Sequence, residues 1–156
     1  MKFSHLYMVP FTGLGLHNGF RGNQWLINRI KIFNEFVLPS ILAQGNDFTV
    51  WFCWRPEEEF NSLVVEFQTM LDSIEGLNTI HTFGGIPFWD DKYSDQEASA
   101  QLMRTLEISL PDLRETVKED YVLLTIQPSD DMYLSTGATE LKKTFEKLLV
   151  DNPENT

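Results

Sequence analysis

The stretch YVLLTIQPSDDMY at residues 121–133 joins an apolar run to two adjacent carboxylates. Its first six residues, Tyr121–Ile126, are apolar or β-branched and end at a polar turn, which predicts a strand buried on both faces of a parallel sheet. Open α/β sheets bind ligands outside the carboxyl ends of their strands, where Asp130 and Asp131 follow this one. Their hard oxygen ligands suit Mg²⁺ or Mn²⁺, which in turn suits a diphosphate. The alternative is a solvated turn after a buried strand.

The composition predicts one acidic domain over residues 1–156. The hydrophobic share of 42% is ordinary for a globular domain. The net charge of −11 argues against nucleic acid or an anionic membrane as a partner. An anionic ligand would need a metal ion or a local basic pocket. No apolar run approaches the roughly 20 residues of a membrane span, and residues 1–15 lack a signal-peptide pattern, so we expect a cytoplasmic protein. The single Cys53 lies in an apolar run, which predicts a buried, inert thiol.

Four apolar segments alternate along the chain with four amphipathic ones. The helical stripe at 25–44 contains Pro39, which is expected to kink the helix. Connections of this length suit parallel pairing, so the sequence predicts an α/β domain with about four core strands and helices on both faces. Strands are expected near residues 6–9, 48–54, 79–83 and 121–126, and helices near 25–44, 60–74, 94–110 and 141–149.

Several polar positions have a structural interpretation beside a functional one. The three glutamates at 57–59 stand before a helical stripe, and we interpret them as favourable charges at the helix start rather than as a metal site. Ser94 and Glu97 form a capping-box pattern, and Pro111 is expected to limit the helix that follows. The polar, aromatic segment at 88–93 is a surface loop or, alternatively, the rim of a sugar site.

Three segments together resemble glycosyltransferases of the GT-A type, most closely the rhamnosyltransferase family. The first, at residues 25–44, is similar to a family helix that ends with Leu-Pro-Ser-Leu and a following Gln. The second, NDFTVW at 46–51, is similar to the turn and strand after that helix. The third, TIQPSDDM at 125–132, lies where the family carries a run like Thr-Arg-Leu-Asp, any residue, Asp-Asp. The resemblance covers nearly the whole chain in order and implies a GT-A-like, Rossmann-like fold.

The resemblance implies metal-assisted transfer of a sugar from a nucleotide-diphosphate donor to an acceptor hydroxyl. Asp130 and Asp131 match the family residues expected to bind the divalent cation, Mn²⁺ or Mg²⁺. The leading Asp of the family motif falls on Pro128, which has no side-chain ligand. Weaker metal binding, binding by the two remaining carboxylates, and loss of the metal therefore all stay open.

The resemblance also implies where the donor would bind. It places contacts to the base and ribose at the exit of the first strand. Related enzymes often keep a donor-facing arginine on the helix before the metal-binding strand, which is where Arg104 falls. The residues implied for the donor are Pro10, Phe11, Thr12 and Arg104, with Arg21 and Arg29 as further basic candidates.

Two other functions stay open. GT-A enzymes place the acceptor site and the catalytic base largely after the metal motif, and here only residues 133–156 follow it. The chain resembles the donor-binding half alone, so a truncated piece, a partner-dependent subunit and a non-catalytic binding or interaction module all stay open as alternatives. A nucleotidyltransferase-like enzyme would need a glycine-rich phosphate loop after the first strand, of which residues 13–21 are a faint version. The sequence identifies neither the sugar, the acceptor nor the catalytic base.

Overall fold

The computed structural model describes residues 2–12, 22–45, 47–86, 94–119 and 121–151. Four strands form one parallel sheet in the order β3-β2-β1-β4, which confirms the predicted α/β class. The strands are β1 (Phe3–Val9), β2 (Thr49–Cys53), β3 (Asn78–Thr82) and β4 (Tyr121–Ile126). The helices are α1 (Asn23–Ile32), α2 (Leu38–Leu42), α3 (Ser62–Asp72), α4 (Asp95–Thr116) and α5 (Gly137–Asp151), with a π-helical turn at Phe33–Val37 and a 3₁₀ turn at Pro56–Glu58.

Each face of the sheet carries its own apolar core, because successive residues of a strand point to opposite faces. Full burial of one large apolar side chain contributes roughly 1.5–3 kcal/mol to the free energy of folding. The prediction of helices on both faces is confirmed. One core joins Tyr7, Val9, Val50 and Phe52 to Leu26, Phe33, Val37, Ile41, Val64, Phe67 and Leu71 of the helical segments on that side. The other joins Leu6, Met8, Trp51 and Cys53 to Leu102, Leu106 and Leu113 of α4.

The strand β4 lies at an edge of the sheet and is only partly buried, so the prediction of a strand buried on both faces is wrong. Val122 is 41% exposed and Ile126 is 39% exposed, and no residue of β4 is fully buried. Within the described ranges, β4 pairs only with β1. An apolar run indicates that side chains of a strand pack against apolar surface, as the Leu124 side chain does against α4. The run does not indicate how many strands pair with that strand.

Pro39 produces the predicted distortion of the first helical segment in the form of a π turn. The Leu38 N–H donates to the carbonyl of Phe33, five residues earlier. Pro39 has no N–H, and its ring would press on the Glu35 carbonyl in a regular helix, so the wider turn relieves both problems. The Ser40 hydroxyl donates to the Val37 carbonyl at 2.7 Å. The segment therefore continues as α2 instead of ending.

The helix α3 begins later than its apolar stripe predicts. Asn61 is its N-cap, and the Asn61 side chain accepts the Leu63 N–H at 3.0 Å. Phe60, predicted to belong to the stripe, is 88% exposed. The glutamates at 57–59 therefore precede the helix, and their interpretation as helix-start charges is wrong.

The helix α4 begins as predicted and ends later than predicted. Ser94 and Glu97 form the capping box, and the Ser94 N–H donates to the Glu97 carboxylate at 2.8 Å. The helix passes through Pro111, with Pro111 and Glu107 both on its exposed side. Water can satisfy the Glu107 carbonyl that loses its helical donor there, so proline does not end the helix.

No helix in the described ranges is both long enough and apolar enough to cross a bilayer.

Candidate functional site at the carboxyl edge of the sheet

The direction in which the sheet grows reverses between β1 and β4. The chain adds β2 and β3 on one side of β1 and then returns to place β4 on the other side. Such a switch point leaves a crevice outside the carboxyl ends of the two strands, which is where open α/β sheets bind ligands. The exits of β1 and β4 lie side by side here, since the Gln127 N–H donates to the Met8 carbonyl at 2.7 Å.

A fully buried glutamine holds the acidic turn that follows β4. The Gln127 Nε2 donates to the Pro128 carbonyl at 2.9 Å and to the Asp131 carbonyl at 2.7 Å. These two bonds close the backbone of residues 127–131 into a compact turn. The side chains of Asp130 and Asp131 are exposed at its surface.

Arg29 of α1 binds the first carboxylate of this turn. Its Nη1 lies 2.5 Å from the Asp130 Oδ2, and its guanidinium carbon lies 5.2 Å from the centre of the Trp25 ring. The Arg29 side chain is 19% exposed and the Asp130 side chain is 52% exposed. Of the basic candidates that the structure describes, Arg29 is therefore the one that lies at the acidic turn.

The α1–α2 segment also fixes the chain that follows the turn. The Ser40 hydroxyl accepts the Tyr133 N–H at 3.4 Å. The Gln44 amide donates to the Leu134 carbonyl at 2.7 Å and accepts the Ala138 N–H at 2.9 Å, where it satisfies a free N–H of the first turn of α5. Ser40 and Gln44 thus hold the chain immediately after the acidic turn.

The residues implied for the donor occupy different environments. Phe11 is 3% exposed and packs against Phe33, Trp54 and Phe67, so protein surrounds its ring. Pro10 is half-buried and Thr12 is buried, both at the exit of β1.

Arg104 is exposed on α4, and in the described part of the chain no hydrogen bond or ion pair joins it to the acidic turn. Arg21 and residues 13–20 lie outside the described residues, as does the segment 88–93 that was the candidate rim of a sugar site.

Glu58 is a polar residue of this edge that sequence reasoning did not identify as a candidate. It is 2% exposed, and its Oε2 accepts the Thr12 hydroxyl and, at 3.3 Å, the Arg55 N–H. The Arg55 Nε donates to the Thr12 carbonyl at 3.0 Å. Burial raises the pKa of the Glu58 carboxyl, and the hydrogen bond from Thr12 opposes that shift. The one sequence signal was the position of the glutamates just after an apolar strand and Pro56.

The acidic turn fits a hydrated divalent cation that also contacts phosphate. The described residues contain no group of three or more His, Cys, Asp or Glu side chains that could hold a metal ion. Mg²⁺ usually keeps several waters and uses one or two carboxylates together with substrate phosphates. The exposed carboxylates of Asp130 and Asp131 meet that need, provided that Asp130 leaves Arg29.

A polar cleft of about 440 Å³ opens at the opposite, amino-terminal edge of the sheet. His5, Lys142, Asp47 and Glu119 are among the residues that line it. Lys142 pairs with Asp47, and the Ser4 hydroxyl donates to Glu119 at 2.5 Å, so these charges are paired within the protein. Burial, and then Lys142, lower the pKa of His5 to about 4, so its ring is neutral at pH 7. This cleft does not include the acidic turn.

Comparison with known proteins reveals no relative. No protein-family model matches the chain, and neither the curated proteins nor the solved structures contain a match.

Proposed function

We propose that this chain binds the diphosphate of a nucleotide-sugar at the carboxyl edge of β1 and β4 and transfers the sugar to an acceptor hydroxyl. One observation carries the proposal: an acidic turn and an arginine meet at the switch point of a parallel sheet. The parallel sheet with helices on both faces supports a GT-A-like fold, and the resemblance to rhamnosyltransferases supplies the reaction.

In this reaction the acceptor oxygen forms a bond to the sugar carbon that carries the diphosphate. The bond from that carbon to the diphosphate oxygen breaks, the electron pair stays on the diphosphate, and the acceptor proton passes to a base. A divalent cation, when bound, neutralises charge on the departing diphosphate, which is worth several kcal/mol.

The residues of the chain have separate tasks in the proposed site. Asp130 and Asp131 hold the cation, and the side chain of Gln127 fixes the backbone from which both project. Arg29 supplies a permanent positive charge in a protein whose net charge of −11 would otherwise repel the donor. Pro10 and Thr12, at the exit of β1, would lie near the base and ribose, as the resemblance implies.

We propose the cytoplasm as the location. The lone Cys53 is compatible with a reducing compartment, and burial raises the pKa of its thiol to about 12, as expected of an inert cysteine.

A non-catalytic binding module is the second candidate. The ion pair that Arg29 makes with Asp130 favours it, because that pair already occupies one of the two carboxylates. Pro128, which stands where the family carries a further Asp, favours it as well.

Calorimetry separates the two candidates. We expect UDP, GDP or dTDP to bind with Mn²⁺ and to bind more weakly without it. Asp131→Ala should lower the affinity measured with Mn²⁺ at least about tenfold, since even the outer partners of metal ligands have effects of that size. Asp112→Ala removes the same charge from the exposed side of α4 and is the matched control. Absence of heat with all three nucleotides, with and without Mn²⁺, would support the binding module instead.

A further inference from the structure

The ion pair of Arg29 and Asp130 places an anion-binding group against a cation-binding group. The two charged atoms are 2.5 Å apart, and the Trp25 ring supports the guanidinium at 5.2 Å. A planar guanidinium presents paired N–H donors that match two oxygens of a phosphate. A carboxylate that is bonded to Arg29 cannot give the same oxygen to a metal ion. Arg29 therefore keeps a cation from Asp130, and Asp130 keeps an anion from Arg29.

We propose that Arg29 binds the diphosphate and that its ion pair with Asp130 couples the binding of this anion to the binding of the cation. This inference rests on the proposed function and adds to it. A cation that takes Asp130 releases Arg29 for the phosphate, and a phosphate that takes Arg29 releases Asp130 for the cation. Each ligand alone must break the ion pair, whereas the two together break it only once, so the coupling is positive and reciprocal.

The surroundings allow this exchange without refolding the turn. Gln127 holds the backbone of residues 127–131 from below, so only the side chains of Asp130 and Arg29 need to move. The same edge of the sheet contains two buried oxygens without a hydrogen-bond partner in the described ranges, the Oε1 atoms of Gln127 and Glu58. Buried polar atoms are nearly always satisfied, so the Oε1 of Gln127, which belongs to the acidic turn, favours a polar ligand there.

The first measurement uses Mn²⁺ alone, followed by electron paramagnetic resonance. Arg29→Gln frees Asp130 and should tighten Mn²⁺ binding roughly two- to five-fold, the range expected for loss of a partly exposed ion pair. Lys31→Gln is the matched control, because it removes the same charge from the same helix and its 69%-exposed side chain contacts only Glu35 among the described ion pairs. A general charge effect would shift both variants equally.

The second measurement adds inorganic pyrophosphate at one fixed Mn²⁺ concentration, so that complexes formed in solution are the same for every protein. Arg29→Gln should weaken pyrophosphate binding several-fold, while Lys31→Gln should leave it unchanged. Arg29→Lys keeps the positive charge but loses the paired N–H donors of the guanidinium. We therefore expect this variant to bind Mn²⁺ alone with the wild-type affinity and to bind pyrophosphate more weakly than the wild type does. Thermal unfolding checks that each variant is folded.

The outcomes separate this inference from the proposed function. Opposite changes in the two affinities of Arg29→Gln support the coupling. If Arg29→Gln and Lys31→Gln behave alike while the wild type binds both probes, the coupling is wrong and the proposed site stands. If the folded wild type binds neither probe, alone or together, both the proposed site and the coupling are overturned.

Discussion

Glu58 carries a buried carboxyl whose charge the fold disfavours. It is 2% exposed, and burial raises the pKa of its carboxyl above the ordinary value of 4.5. The folded protein therefore holds the Glu58 proton more tightly than the unfolded chain does. The stability that Glu58 contributes is fully present below pH 4.5 and is lost as the pH rises through the pKa of the folded state.

A glutamine at this position should remove that loss. Glu58→Gln keeps an acceptor for the Thr12 hydroxyl and the Arg55 N–H and cannot ionise. We expect the free energy of unfolding of the wild type, measured with urea between pH 4 and 8, to fall relative to that of Glu58→Gln as the pH rises. Glu59→Gln, at an exposed neighbour, should keep the wild-type profile. Parallel profiles for the wild type and Glu58→Gln would contradict the assignment.

Single residues of the site were predictable to the extent that local sequence determines them. The position of Asp130 and Asp131 after a strand follows from the apolar run before them, and the structure agrees. The partner of Asp130 did not follow, because Arg29 is about a hundred positions away along the chain. The burial of Glu58 also depends on a distant residue, Thr12, whose hydroxyl donates to it.

At the level of elements, α4 approaches the sheet closely at a glycine. A Cβ on Gly84 would lie 2.6 Å from the Ile108 Cγ2 and 2.9 Å from the Ser109 Oγ. The Ser109 hydroxyl lies 3.1 Å from that of Thr82, which accepts the Trp51 indole N–H at 2.8 Å. A larger residue at 84 would therefore disturb a buried polar contact as well as the helix position.

Two glycine substitutions should have opposite effects on stability. Gly84→Ala forces α4 from the sheet, and we expect a loss of about 1–3 kcal/mol, the usual range for overpacking. Gly137→Ala is the control, since a Cβ at this position would lie 3.4 Å from its nearest neighbours, an ordinary contact distance. This substitution should raise the free energy of unfolding by about 0.4–1 kcal/mol, because alanine restricts the unfolded chain. Urea unfolding measures both. A Gly84→Ala protein as stable as the wild type would show that the helix packs less closely than described.

The sequence predicted which segments form helices and which form strands. It did not predict which elements lie beside one another. The bounds of β4 agree with its apolar run, and Ser94 begins α4 as its capping box indicates. The place of β4 at an edge depends on the connection from β3, which no local pattern records. The start of α3 at Ser62 was missed because the apolar Phe60 fits the helical spacing without packing in the core.

At the scale of the molecule, charge and topology make opposite demands on an anionic ligand. The net charge of −11 repels it, while at the switch point Arg29 lies beside Asp130. The order β3-β2-β1-β4 brings helix α1 and the turn after β4 to the same edge of the sheet. The fold thereby brings the groups of the proposed site to one place.

Crystals grown with MnCl₂ and UDP test this account most directly, because the anomalous signal of manganese locates the metal independently of the refined structure. We predict a single strong peak beside the carboxylates of Asp130 and Asp131, with the diphosphate against Arg29 and the ion pair of Arg29 with Asp130 opened. A nucleotide bound elsewhere, or an intact ion pair beside bound UDP and Mn²⁺, would contradict it.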